Sequence, residues 1–377
     1  MSKKLFIHIG THRTGSTVIQ STLSAKSDEL KSEGIVLIEH VPSAEEFKLL
    51  TSPNEEIIRT SREFFVNMMK RYPRCDKFLI SWEGYSGNLR NGYKNTSAVA
   101  ETLSEITKGL DASIIVYLRR QDSFIESAYT FLIQGTEWMS FQDYINGLDP
   151  RSFDWYLLLN SFAKYFPMEK IIVRRYDKEA LPNKNSLTDD FANVIGSTVL
   201  KDIDLEHIPL EKGGNRGYSR DALEIARLCN QYLDEEGTRF LRKILQRTNA
   251  KEPFEDYSFF TLEERRNFLS QYSDSNSKVA RTYLSDPSGK LFSALNPNEH
   301  SERKYEGLTP AAISRVLTLA IVDIQRRHEE ESIGSMTLGR ILLSVVRKTE
   351  YVLRKILDRI PGARRSIWYL LRKLKLM

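Results

Sequence analysis

Apolar residues fall into short runs in the first half of the chain and recur at helical spacing in the second, with turn-forming residues between them. Five runs read as buried strands: Leu5–Ile9, Ile35–Ile38, Phe78–Trp82, Ser113–Leu118 and Ile171–Tyr176. Each is brief and rich in β-branched or aromatic residues, as strands covered on both faces are. Helical patterns alternate with them. One runs from about Ser16 to Ser32 and is punctuated by Gly34, and another sets Ala98, Val99, Leu103 and Ile106 on one face. A third lines up Trp155, Leu158, Leu159, Phe162 and Phe166 before Pro167 stops it. Beyond Ser219 the pattern is mostly helical, including Ala222–Tyr232, Leu262–Tyr272 and Ala311–Glu329, while Asn276–Pro297 reads as irregular. The alternation predicts an α/β fold with a central parallel sheet and a helical C-terminal elaboration.

Composition narrows the class without naming an activity. Hydrophobic content of 41% and charged content of 28% are those of a globular chain and exclude a disordered or fibrous one. Cys75 and Cys229 are too few for a disulfide framework or a thiolate metal site, so a reducing compartment is expected. The N-terminus enters a strand pattern at once and lacks a signal-peptide core, and no run approaches the ~18 apolar residues of a membrane span. A cytoplasmic location follows as the expectation. The net charge of +5 is unevenly spread: residues 341–377 carry ten Lys/Arg against Glu350 and Asp358, which makes that tail +8 and the rest −3. A basic tail on an acidic body does not predict nucleic-acid binding. We therefore read residues 1–335 as the main domain and 336–377 as a separate basic amphipathic tail.

The sharpest local signal is Gly10-Thr11-His12-Arg13-Thr14-Gly15-Ser16-Thr17, which follows a strand and opens a helix. That context lets backbone N–H groups cradle phosphate at a helix N-terminus. The spacing is that of a P-loop, except that Ser16 stands where the lysine that reaches the β/γ-phosphates belongs. The basic side chain is Arg13 instead, inside the loop. A kinase or NTPase is disfavoured on this ground.

The segment Phe6–Thr17 resembles the 5′-phosphosulfate-binding loop of sulfotransferases that use 3′-phosphoadenosine 5′-phosphosulfate (PAPS), with Arg13 where the family usually has lysine. A second segment, Ile114–Tyr129, again runs from a buried strand into a helix. It resembles the family's 3′-phosphate site, where an arginine ending a strand is followed eight residues later by a serine; Arg119 and Ser127 have that spacing, with Arg120 alongside. Arginine supplies a charged fork and serine a hydroxyl to one phosphate. The resemblance implies a P-loop-like three-layer fold, PAPS as co-substrate, no required metal, and Thr11, Arg13, Thr14, Gly15, Ser16 and Thr17 as the phosphosulfate loop. Weaker matches place Tyr176 near the nucleotide, with a core tyrosine as the alternative, and make Arg216 in Gly213–Ser219 a donor from a covering loop.

Sulfuryl transfer needs charge stabilisation and a base for the acceptor hydroxyl. Arg13 is the expected electrostatic catalyst. Glu83, after the strand Phe78–Trp82, is the candidate base because several glycan sulfotransferases employ a glutamate there; His12 is its rival, and His8 reads as a strand histidine packed in the core. The resemblance points to an acceptor hydroxyl on a glycan. The rival readings are a P-loop kinase or NTPase, and a non-catalytic membrane-recruited nucleotide-binding protein. In the tail, Leu342, Val345, Val346, Val352, Leu353, Ile356, Leu357 and Ile360 gather opposite Arg347, Lys348, Arg354, Lys355 and Arg359. That pattern predicts peripheral association with an anionic membrane surface, with packing on protein as the alternative.

Overall fold

A computed structural model describes residues 3–39, 50–177, 180–182, 186–204, 217–249, 258–295, 305 and 307–332. Its centre is a five-stranded, all-parallel sheet in the order β2-β3-β1-β4-β5. The strands are β1 (Lys4–His8), β2 (Ile35–Leu37), β3 (Lys77–Ser81), β4 (Asp111–Leu118) and β5 (Ile171–Arg175). Each expected strand is present, within one or two residues of its predicted ends. β1 lies between β3 and β4, with His8 opposite Ser81 on one side and Ile115 on the other.

Helices flank this sheet in a three-layer α/β arrangement. On one face α1 (Ser16–Ala25), α2 (Ser27–Ser32) and α8 (Leu187–Ile195) bury Ile19, Leu23, Leu30, Phe191 and Ile195 against Phe6, Leu79, Ile115 and Tyr117. The alternate strand residues Leu5, Ile7, Phe78, Ile80, Ile114 and Val116 are equally buried on the other face, as the two-residue strand period requires. Also in this unit, α3 (Glu55–Arg71) packs on α4 (Thr96–Ile106) and α4 packs on α7 (Trp155–Ala163). The predicted apolar face of α7 is fully buried, although the helix ends before Phe166.

Two expectations need correction. The helix predicted over 16–32 is two helices, because Lys26 (φ −110°, ψ 17°) breaks the first before the second begins. The segment 276–297 is not irregular throughout: α12 (Ser273–Tyr283) covers its start. That helix lacks apolar periodicity and is held by tertiary contacts, with Asn276 and Gln121 exchanging side-chain hydrogen bonds at 2.8 and 3.0 Å.

The chain divides into two compact units. The first, Met1–Ala128 with Gly147–Lys212 and Leu262–Pro297, contains the sheet. The first crossing between them along the chain, after Ala128, falls within α5 (Gln121–Gln134). In the first unit, α11 (Leu262–Ser270) contributes Arg265, which is 1% exposed and bonds Asp122 at 2.6 Å and Glu126 at 2.9 Å. The second unit is helical, with α6 (Phe141–Asn146), α9 (Arg220–Asn230), α10 (Glu235–Thr248) and α13 (Pro310–Ser332). It is pinned by Arg247 on Asp323 at 2.7 Å and by Arg220, whose guanidinium lies 3.9 Å from the Phe259 ring centre and 4.6 Å from that of Tyr305. No described helix is long and apolar enough to cross a membrane. The 336–377 tail and its expected membrane association lie outside the described residues.

His8 is buried as expected, with Nδ1 2.7 Å from Ser81 Oγ and the rings of Tyr117 and Phe191 edge-on to it. Burial lowers its pKa from 6.5 to about 3. The native state therefore excludes a proton that the unfolded chain binds below pH ~6.5, so stability falls as pH drops towards 3, by up to about 1.4 kcal/mol per pH unit. Urea unfolding of His8→Asn between pH 7 and 4 should show an acid limb flatter by about that slope. An unchanged limb would mean that His8 is protonated inside the fold.

Candidate active site

Parallel pairing on both sides carries β1 to its end: Trp82 N–H donates to His8 O at 3.0 Å and Ile9 N–H to Ile115 O at 2.9 Å. The chain then leaves the sheet between the ends of β3 and β4. Gly10 makes the exit possible, since it sits at φ +89° and an added Cβ would stand 3.0 Å from Glu83 Cβ. Thr11 N–H and Oγ1 both donate to Tyr117 O, at 3.0 and 3.1 Å. Thr14 Oγ1 and Ser16 Oγ donate to Thr11 O at 2.6 and 3.2 Å. Three of the loop's hydroxyls are thus buried within it and set its curvature. What the loop offers an anion is backbone. Gly15, at φ +79°, is the N-cap of α1; no side chain caps that helix and its first turn has no acidic residue. Early helical N–H groups without an intrahelical acceptor are a fitting cradle for phosphate oxygens. A Cβ at Gly15 would fall 2.4 Å from Leu187 Cδ2 and 3.3 Å from Tyr176 Cε2, so only glycine fits.

The second motif meets the first. Arg119 Nη1 donates to Arg13 O at 3.1 Å, and Arg13 Nε donates to Ser127 Oγ at 2.9 Å. The Arg119 guanidinium lies 5.7 Å from the ring centre of Tyr176. Burial draws the Arg119 pKa down from its ordinary value, opposed by Tyr176, Glu126 and Asp122. Ser127, however, bonds Arg13, whereas Arg119 Nε donates to Ser123 Oγ at 3.0 Å. Arg120 is turned to Asp122, with bonds of 2.8 and 3.0 Å from Nε and Nη2. Trp155 Nε1 braces the strand end by donating to Arg119 O at 2.9 Å.

Glu83 and His12 both lie beside Gly10, where an added Cβ would stand 3.2 Å from Glu83 Cα and from His12 N. Gln20, one turn into α1, donates from Nε2 to Glu83 Oε2 at 3.0 Å and fixes that carboxylate against the phosphate-loop helix. His12 contacts Tyr93 twice: its backbone N–H donates to Tyr93 Oη at 3.2 Å, and Nδ1 lies 3.0 Å from the same oxygen. Burial lowers the His12 pKa to about 4; Glu83 raises it and Arg13 lowers it further. At pH 7 the imidazole is neutral.

The structure therefore brings Arg13, Arg119, Ser127, Tyr176, Glu83 and His12 around one loop, while Arg216 lies outside the described residues. Gln20, Tyr93, Ser123 and Trp155 complete the surroundings; the sequence singled out only Trp155, and that as part of a buried helix face. Of the other three, Gln20 alone carried a readable signal, four residues beyond Ser16 on the same helix face. Among the described residues, no three His, Cys, Asp or Glu side chains group as a metal site.

A scan against protein-family models finds no match. An uncharacterized protein of Archaeoglobus fulgidus is 30% identical over 177 residues, which is 46% of this chain and 46% of that protein. The chain thus spans about half the length of the curated relative it matches.

Proposed function

We propose that the protein is a PAPS-dependent sulfotransferase that transfers a sulfuryl group to an acceptor hydroxyl, with a glycan as the acceptor class. The observation that carries this reading is the meeting of two motifs a hundred residues apart in sequence: Arg13 bonded to Ser127, and Arg119 to the Arg13 carbonyl. One phosphate bound by loop amides does not need such an arrangement. A nucleotide with charged groups at both ribose ends does.

In this reading the amides of Gly15, Ser16 and Thr17 bind the 5′-phosphosulfate, and Arg119 with Ser123 and Ser127 binds the 3′-phosphate. The co-substrate supplies an already activated sulfuryl group. The new S–O bond forms to the acceptor oxygen as the bond to the 5′-phosphate oxygen breaks, and the acceptor proton passes to Glu83. Arg13 balances the charge on the departing phosphate. Arginine keeps two parallel donors for these oxygens and stays cationic throughout, so it acts by electrostatics. Gln20 favours Glu83 as the base because it fixes Oε2 and orients the carboxylate.

Arg13→Ala should slow release of adenosine 3′,5′-bisphosphate from PAPS by roughly 10²–10³, the loss typical of one charged transition-state contact. Arg13→Lys should retain more of the rate. Turnover of the alanine variant at the wild-type rate would remove Arg13 from the chemistry. Arg119→Ala and Ser127→Ala should weaken binding of adenosine 3′,5′-bisphosphate in calorimetry while changing AMP binding little. Equal losses for both ligands would show that neither side chain reads the 3′-phosphate.

A further inference from the structure

Three residues other than glycine near the loop have left-handed backbone: Arg13 (φ 61°), Tyr93 (φ 66°) and Phe153 (φ 60°). Such conformations persist where surrounding packing imposes them, and they concentrate at functional sites. Here they are connected. Tyr93 follows Gly92, where an added Cβ would fall 2.1 Å from Ser152 Oγ, the residue before Phe153. The Tyr93 ring packs edge-on to Phe153 at 5.7 Å and tilted to Phe124 and Trp155 at 6.3 Å each. Tyr93 itself is buried. This cluster holds one polar atom, Tyr93 Oη, against both the backbone and the ring of His12.

The direction of one of those bonds is fixed, since a backbone N–H can only donate. Oη is therefore already an acceptor towards His12 N, and its own proton is suited to the lone pair of Nδ1 at 3.0 Å. The imidazole is neutral at pH 7 because burial lowers its pKa to about 4, so it holds one ring proton. When Nδ1 accepts from Tyr93, that proton resides on Nε2. A neutral N–H on the opposite edge of the ring is then available as a donor, on an imidazole that feels the charges of both Glu83 and Arg13.

We propose that Tyr93 is a positioning residue that holds His12 in its Nε2–H form, making His12 a neutral hydrogen-bond donor to the anionic reacting group and leaving proton acceptance to Glu83. The use of that donor rests on the sulfuryl-transfer reading; the tautomer does not. A donor that stays neutral contributes its N–H to charge developing on oxygen without competing for the acceptor's proton. The proposal also divides the labour between two groups that the sequence presents only as rival bases. Both Tyr93 and Trp155 belong to the same aromatic cluster, so one packed element aligns His12 on one side and the Arg119 carbonyl on the other.

The test is long-range proton–nitrogen correlation of the imidazole rings in the full-length, nitrogen-labelled protein, with His12 assigned by its disappearance in His12→Gln. The expected wild-type spectrum has an unprotonated Nδ1 and a protonated Nε2. In Tyr93→Phe both nitrogens should shift towards values averaged between tautomers, while the other histidines keep theirs. A protonated Nδ1 in the wild type, or an unaltered His12 in Tyr93→Phe, overturns the proposal; if Tyr93→Phe does not fold, the wild-type spectrum decides alone. In a parallel assay with water as the acceptor, Tyr93→Phe should slow bisphosphate release from PAPS roughly tenfold, the scale of one hydrogen bond to a charged group, with bisphosphate affinity changed less than twofold. A wild-type protein that neither binds adenosine 3′,5′-bisphosphate nor releases it from PAPS overturns the transferase reading and leaves the tautomer to the spectrum.

Discussion

The parallel pairing of β1 with β3 on one side and β4 on the other is the constraint on which the site depends. Parallel strands bring their carboxyl ends to the same edge, and the loops that follow must share the space there. The phosphate loop leaves β1, Glu83 follows β3, and Arg119 follows β4. Their separation in sequence is covered by helices that return the chain to the opposite edge. Had β1 been an edge strand, either the carboxylate or the arginine would have been one strand farther away.

Gathering cations at one end of a sheet is costly unless carboxylates and hydroxyls share the region. Arg119 and Arg13 are held by Ser123, Ser127 and a carbonyl, which orient their forks. The carboxylates are engaged one turn away. Burial pushes the Asp122 pKa up, but Arg120 and Arg265 outweigh it and leave Asp122 below its ordinary value. Arg120, Arg265, Asp122 and Glu126 thus form a buried network that anchors the start of α5, the helix bearing both serines. Removing one member of such a network strands another charge, which makes its geometry stiff. Arg119, bonded to Ser123, and Arg13, bonded to Ser127, inherit that stiffness.

Much of this was legible in the chain itself. Short apolar runs marked all five strands, since β1, β3 and β4 are buried on both faces beyond their first residue and β2 and β5 begin with buried isoleucines, and Gly10 and Gly15 marked the loop because positive φ angles are needed there. Arg119 and Ser127 were singled out because their spacing resembles that of the sulfotransferase 3′-phosphate site, and the fold brings both to the loop. Spacing could not show that Ser127 turns to Arg13 and that Ser123 serves Arg119, since a helix presents both serines to one side and their rotamers are set by tertiary contacts. Tyr93 had no readable role: it lies in a stretch, Asn91-Gly92-Tyr93, that reads as a turn, and its importance comes from rings supplied by distant residues. The helix at Ser273–Tyr283 was missed for a similar reason, being stabilised by polar contacts rather than by an apolar stripe.

The central claim is that two motifs form one nucleotide site requiring a phosphate at each end of the ribose. Ligand binding to the native state raises the melting temperature by an amount that grows with the logarithm of ligand concentration over Kd. The most direct measurement compares melting temperatures of the full chain with equal concentrations of adenosine 3′,5′-bisphosphate, AMP and ATP. The account predicts a clear rise with the bisphosphate and a distinctly smaller one with AMP or ATP. A rise with ATP that equals or exceeds that with the bisphosphate would contradict it.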